Sequence, residues 1–230
     1  MAIEELEKKL RPPELQMAPY PAKVITLANG EKMVVREARR EEVGVILGTV
    51  YPLLGVAKDF YDVVAARMYA EVLGWFRYRV ANEFVLVGAI DGEIAGIVNS
   101  RMWDAKRGIS LHTMTIRRGL RIGAQLFAAK MEHHIEYLRQ DEVNIVAESP
   151  IGFRRWMIEY QLEDRSGSYP GLQHELGGVP TFTLTRDLYL KAKAEKVTGT
   201  RPVPPDVLAT ANKLRMPETY PQIPGFKRGK

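Results

Sequence analysis

Between positions 117 and 124 the chain reads Arg117-Arg118-Gly119-Leu120-Arg121-Ile122-Gly123-Ala124. An apolar run suited to a strand precedes it, and a run with helical periodicity follows. Glycines let the backbone turn tightly there. The first amides of the helix point unpaired N–H groups outward, and the arginines add fixed positive charge. Phosphate or pyrophosphate is the ligand such a turn suits. Taken by itself, the octapeptide reads equally as a tight turn with exposed arginines. A P-loop is excluded, because no Gly-x-x-x-x-Gly-Lys-Ser/Thr string exists. A dinucleotide fingerprint is excluded as well, since the glycines stand as Gly119-x-x-x-Gly123.

Acid–base chemistry has two candidates. Glu148 ends an apolar stretch just before Ser149-Pro150, where a strand-end carboxylate would face a cleft or simply solvent. His112 lies inside an apolar strand pattern, as a base poised near neutral pH or as a hydrogen-bonded packing residue. His133 and His134 are adjacent on a helix and lack the i, i+4 spacing of a helical metal pair, so no zinc site is expected. His174 stands in a loop without a partner in the sequence. Gly167-Ser168 lacks the full Gly-x-Ser-x-Gly elbow of a serine hydrolase. Cysteine is absent, which removes disulfides, thiolate metal sites and a cysteine nucleophile.

The elements that must position these groups follow from periodicity. Residues 3–10 form a short helix stopped by Pro12 and Pro13. Val24 to Leu27 and Lys32 to Arg36 flank Asn29-Gly30 as a hairpin. Helices are expected over 40–49 and 60–80, the second capped by Asp59 and buried through Val63, Val64, Met68, Val72 and Phe76. Strands are expected over 84–90, 93–100, 109–116 and 143–147, and a last one over 181–187. Helices are expected over 122–139 and 151–162, the former burying Phe127, Met131, Ile135 and Leu138. Trp75, Phe76 and Tyr78 sit at helical spacing as core rather than as a base-stacking platform. This mixed order predicts an α/β sandwich around one mixed sheet.

The 230 residues carry a net charge of +5, but 191–230 alone holds nine Lys/Arg against three Asp/Glu. Ten of the 14 prolines lie in 1–22 or 198–230, so a compact domain over 23–190 with an arm at each end is expected. The arms carry spaced apolar residues, Leu6, Leu10, Leu15 and Met17 at one end and Val207, Leu208, Leu214, Met216, Tyr220, Ile223 and Phe226 at the other. That pattern suits wrapping over this domain or over a second subunit, and a homodimer is the expected assembly. Nucleic-acid binding through the basic arm ranks last among the readings. No apolar run reaches membrane-spanning length and the charged start is unlike a signal peptide, so a cytoplasmic protein is expected.

The loop resembles that of the GNAT superfamily of acyl-CoA-dependent N-acetyltransferases, Arg/Gln-x-x-Gly-x-Gly/Ala, here Arg118 to Gly123. Val35-Arg36-Glu37-Ala38, the stretch Phe84 to Gly96 and the stretch Phe153 to Asp164 are similar to flanking parts of that family in the right order, over about residues 33–190. The resemblance implies a largely antiparallel central sheet flanked by helices, with acyl-CoA as co-substrate and no metal. It implies a small-molecule or protein amine as acceptor. By position, Thr113, Thr115, Arg118, Gly119, Leu120, Arg121, Ile122, Gly123 and Ala124 would hold the cofactor. Glu148 would be the base, and Tyr160 would stand in for the family's helix-four tyrosine, whose place Met157 takes. The loop's middle glycine is Arg121 here. A second reading is therefore a GNAT-like domain without chemistry, acting as a binding or assembly module.

Overall fold

The computed structural model describes residues 2–146, 148–171, 177–220 and 223. His174 and Phe226 lie outside them. Eight strands build one sheet: β1 (Lys23–Thr26), β2 (Lys32–Glu37), β3 (Glu83–Ile90), β4 (Glu93–Met102), β5 (Arg107–Thr115), β6 (Glu142–Ile145), β7 (Glu163–Asp164) and β8 (Phe182–Thr185). Their order across the sheet is β1-β2-β3-β4-β5-β6-β8-β7. Every pair is antiparallel except β5 with β6. The central strand β3 is buried along its whole length, which explains its unbroken apolar sequence.

Helices cover both faces. α2 (Val43–Val50) and α3 (Tyr61–Phe76) pack on one face, where Val85, Val87, Ile97 and Met114 meet Met68, Val72 and Trp75. α4 (Ile122–Glu132) lies on the other, with Leu126 and Ala129 against Leu86, Val98 and Phe84. Beyond Glu132 the helix widens to a π-turn, His133–Tyr137, closed by Leu138 N to His133 O at 2.9 Å. Phe127, Met131 and Ile135 face β6 and β8, joined there by α5 (Pro150–Phe153), its π-helical continuation Arg154–Ile158, and α6 (Arg186–Lys196).

Three expectations need correction. Asp59 is not a helix cap: it sits at φ 59°, Phe60 precedes the helix at φ 61°, and the carboxylate is drawn instead to Arg118. The buried face of α3 is Ala65, Met68, Val72 and Trp75, while Val63 is exposed, because at 3.6 residues per turn position 63 lies on the opposite side of the helix from those four. The final strand stops at Thr185, whose hydroxyl accepts from Leu188 N and starts α6, so the helix runs through position 190, where the compact domain was expected to end.

Both arms pack on this same domain. Tyr20, from the N-terminal arm, donates to Glu132 Oε2 at 2.7 Å, as does Lys23 Nζ at 2.7 Å. Arg201 reaches Glu132 Oε1 at 2.9 Å from the C-terminal arm. The last described helix, α7 (Pro205–Ala211), lies with Val203 over Val24, Val34 and Ala89. Arg36, buried, grips both oxygens of Glu42 and donates through Nη2 to the carbonyl of Ala211 at 2.9 Å. Arg201 and Arg215, two basic residues of that arm, are thus held against Glu132 and Glu93.

Truncation after Lys196 strips these partners from Arg36 and Glu132 and uncovers the outer face of β1 and β2. The Lys23–Glu132 and Arg36–Glu42 pairs remain, but a hydrogen bond to a charged group is worth about 1.5–3 kcal/mol, so losing Arg201 from Glu132 and the Ala211 carbonyl from Arg36 costs about 3–6 kcal/mol. For a chain of this size even the lower figure lowers Tm by roughly 6–12 °C. Differential scanning calorimetry of the truncated and full chains measures it; equal melting curves would mean the arm contributes nothing.

Candidate active site

The parallel ladder of β5 and β6 is short, running only from Arg107 opposite Glu142 to Ser110 opposite Ile145. Past that point the strands part, and a cavity of about 320 Å³ opens between them, walled by β5, the start of α4, and the segment entering α5. Thr113, Thr115, Arg118, Gly119, Arg121, Ile122, Gly123, Ala124 and Glu148 all line it. Leu120 does not; it packs on the apolar cluster beneath α4.

At one end stands the glycine-arginine loop. Gly119 has φ +90° and Arg121 φ 57°, so the chain makes two left-handed turns before the helix begins. Arg121 thus holds a left-handed backbone that glycine would adopt without strain, and its side chain is exposed. The first hydrogen bond of α4 is Gln125 N to Arg121 O at 3.1 Å. The amides of Ile122, Gly123 and Ala124 precede it and present donors and the positive dipole end to the cavity. A Cβ on Gly123 would fall 2.5 Å from Thr115 Oγ1, so glycine is needed for helix and strand to approach. Arg118 Nη1 is 2.7 Å from Asp59 Oδ2. Tyr61, also on the wall, donates to the carbonyl of Thr115 at 2.8 Å.

At the other end stands His112. Opposite β4, the register steps from Val98–Thr113 to Ser100–Ser110, so Leu111 and His112 together face the single residue Asn99. The imidazole lies between two carboxylates, Nδ1 at 3.1 Å from Glu148 Oε2 and Nε2 at 3.2 Å from Glu71 Oε1. Burial by itself would lower its pKa, but the two hydrogen bonds and the two negative charges outweigh it and raise it to about 9. Burial pushes Glu148 up, and His112 and Arg67 together hold it below the usual carboxylate range. Arg67, half exposed on α3, pairs with Glu148 directly. Asn99 Nδ2 donates to Glu71 at 2.6 Å and to Glu83 at 2.9 Å. Glu83 is buried and its pKa is pushed up to about 8, so it is a neutral acid at pH 7.

Comparison with known proteins bears on the fold. No protein-family model matches the sequence, and no curated protein matches it. Among solved structures, apo FdhC, described as a nucleotide-linked sugar GNAT, superposes with a TM-score of 0.50 at 8% identity, over 78% of this chain and 97% of that one. The fold is that of the GNAT acetyltransferases. The PaiA N-acetyltransferase of Thermoplasma acidophilum, in complex with coenzyme A, matches with a TM-score of 0.47 at 11% identity over 66% of this chain and 98% of its own. Mycobacterium smegmatis RimJ, in complex with CoA-disulfide, gives 0.46 at 11% identity over 76% and 92%. In this GNAT fold the cavity occupies the gap where β5 and β6 diverge.

Tyr160, expected in the cleft, is not on its wall. It is buried with Met157, edge-on to Phe127 at 5.4 Å, so neither residue of α5's continuation brings a phenol to the cavity. The residues that sequence reasoning missed are Glu71, Arg67 and Asn99, together with Lys130 and Tyr61. Asn99 and Lys130 had a usable signal, since each is a polar residue on an otherwise apolar buried face. Glu71 and Arg67 had none, because a charged residue on a helix reads as solvent-facing. Among the described residues no cluster of metal-ligating side chains occurs, and no helix is long and apolar enough to cross a membrane.

The charged imidazole also ties stability to pH. A folded-state pKa of about 9, against 6.5 for the free side chain, means a stabilising contribution fully present below pH 6.5 and lost as pH rises through 9. Comparing the native protein with His112→Gln isolates the contribution of His112 together with the carboxylates whose charge it supports. The gap between the two Tm values should narrow steadily from pH 6.5 to 9.5; a pH-independent gap would mean that His112 is neutral in the fold.

Proposed function

We propose that the protein is an acyltransferase that moves an acetyl or other acyl group from acyl-CoA to an amine. One observation carries this: a single cavity has helix-terminal amides and arginines at one end and a carboxylate–imidazole pair at the other. The first end suits the pyrophosphate of CoA, received by the amides of Ile122, Gly123 and Ala124 with Arg118 and Arg121 beside them. The intervening strand edge, Thr113 to Thr115, is left without a partner strand on the β6 side and suits the extended arm of the cofactor.

The chemistry asks little more of the chain. The amine nitrogen attacks the thioester carbonyl carbon, a C–N bond forms and the C–S bond breaks. The nitrogen gives up its proton to Glu148 and the adjoining His112, directly or through water. CoA leaves as a thiolate, whose pKa near about 8.5 makes an acid dispensable. That is why the absence of a helix-four phenol does not defeat the reaction. The acceptor is an amine, small or protein-borne, that reaches the cleft between α3 and α5. Arg67 covers Glu148 at that approach.

The catalytically silent reading rests on Met157 and Tyr160, both turned into the core. It predicts CoA binding without turnover. A homodimer is supported by the apolar residues Ile3 and Leu6 of α1 (Ile3–Lys9) and Leu10 just after it, which stay exposed on this chain.

Calorimetry with CoA and a thiol-release assay over a panel of amines test the proposal. Glu148→Gln should reduce kcat by about 10²-fold or more with CoA affinity unchanged. Tyr160→Phe should leave kcat within about twofold. CoA binding absent at millimolar concentration would overturn the reading. The proton-accepting state has neutral His112, so kcat/KM should rise with pH and level off above about 9. A flat profile from pH 6 to 10 would remove His112 from the proton path.

A further inference from the structure

The bulge in β5 decides which way His112 points. Before it, even-numbered residues face α4: a Cβ on Gly108 would strike His134 and Gln140, which belong to the α4 side. After it, odd-numbered residues face α4, with Thr113 Oγ1 3.3 Å from Lys130 Nζ and Thr115 against Gly123. An unbroken strand would therefore have sent His112 under α4. The extra residue reverses the alternation and delivers the ring to the α3 face, beside Glu71.

A bulge breaks the ladder and strips backbone groups of their partners. Two buried polar side chains meet that need here. Asn99 Oδ1 accepts from His112 N at 3.1 Å. Lys130, wholly buried on α4, points Nζ at the carbonyls of His112 at 3.1 Å and Asn99 at 3.4 Å. A lysine fully buried on a helix is costly: burial lowers its pKa to about 7, against the opposing charge of Glu71. Its partners are the bulge and Thr113.

We propose that Lys130 and Asn99 are positioning residues, which hold the β5 bulge from its two sides and so keep His112 between Glu71 and Glu148. Their relevance to catalysis rests on the acyl-transfer reading above; the geometry they maintain does not. Lys130 takes no part in the reaction and lies behind the strand from the cleft. Asn99 acts twice, through Oδ1 on the backbone of His112 and through Nδ2 on Glu71.

The groups facing His112 are Glu71 and Arg67 from α3, Glu148 after β6, Glu83 at the start of β3 with Arg101 near it, and Lys130 behind. Burial lowers the pKa of Lys130 to about 7, so near pH 9, where His112 titrates, the amine is neutral and Lys130→Met removes a hydrogen-bond donor rather than a charge. Loss of the bulge frees the ring from its two carboxylates and lowers its pKa. With no charge lost at that pH, a fall in the His112 midpoint reports the loss of the bulge.

The experiment is a pH titration of the full-length protein labelled with ¹⁵N-histidine, with the His112 signals assigned through His112→Gln. In native protein the His112 midpoint should lie well above that of a free imidazole. In Lys130→Met, shown folded by circular dichroism, it should fall by about one pH unit or more, a tenfold change in proton affinity. Asn99→Ser should lower it similarly and serves if Lys130→Met does not fold. A folded variant of either kind with the midpoint unchanged or raised overturns the proposal. Failure of the acyl-transfer reading would appear elsewhere, as absent CoA binding in native protein, and leaves this titration intact.

Discussion

The parting of β5 from β6 is the constraint on which the rest depends. A continuous ladder would seal the sheet and leave no cavity. Pairing ends at Ser110 and Ile145, one residue short of the bulge at Leu111 and His112. A single extra residue thus sits where the ladder stops and also flips the strand's alternation. The same irregularity lies beside the cleft and brings a titratable ring to its wall. The cost is a set of unpaired backbone groups in the middle of the sheet, and the burial of Lys130 and Asn99 offsets it. Polar residues at core positions here are part of the site's support, not defects of packing.

A sheet that is split near its middle needs restraint at its edges. The terminal segments supply it from both sides. Glu132 on α4 gathers Tyr20, Lys23 and Arg201, so one buried carboxylate ties the N-terminal arm, β1 and the C-terminal arm to the helix whose first turn faces the cavity. Arg36 does the equivalent on the other face, joining β2, Glu42 and the end of α7. Each cluster is well satisfied by hydrogen bonds, which is the condition for buried charges to be tolerated. The proline-rich character of the arms suits this use, since an extended chain with preset backbone angles loses less entropy on docking than a flexible one.

The strands and helices were legible because their signals are local. Asn29-Gly30 marks the β1–β2 hairpin and Asp91-Gly92 the β3–β4 hairpin, each with apolar runs on either side. The loop from Arg118 to Ala124 was legible for the same reason: its glycines and arginines are contiguous. Of the other half, Glu148 and His112 were legible as separate candidates, but Glu71 and the grouping of the three were not. His112, Glu71 and Glu148 lie on three elements, and only tertiary packing brings them together. Tyr160 was misplaced because helical spacing gives a residue's face only if the helix is regular. The stretch Arg154–Ile158 is π-helical, so residues past it are rotated relative to an α-helical count. The same irregularity follows α4, where His133 and His134 both end up buried. The start of α6 was missed because Thr181 to Asp187 reads as strand, and the cap at Thr185 becomes visible only when its hydroxyl is seen to accept from Leu188 N.

Arg121 shows how a site can change a residue and keep a shape. A left-handed backbone costs a non-glycine residue about 1–2 kcal/mol, and the chain retains that conformation at φ 57° all the same. The turn geometry is therefore set by what surrounds it: Gly119 before, and the tight approach of Gly123 to Thr115 after. With glycine at this position the backbone would be open to close approach by an anion. With arginine the side chain is exposed rather than folded into the cavity, so the first-turn amides still border the open space. Arginine here gives up conformational ease and places an exposed positive charge at the mouth. A long flexible cation adds attraction to a phosphate at little geometric demand, because its charge acts over a Debye length of about 8–10 Å rather than at a fixed contact. The left-handed backbone of Arg121 and its exposed charge both lie beside the first-turn amides of α4, which is the arrangement the acyl-CoA reading asks of this end of the cleft.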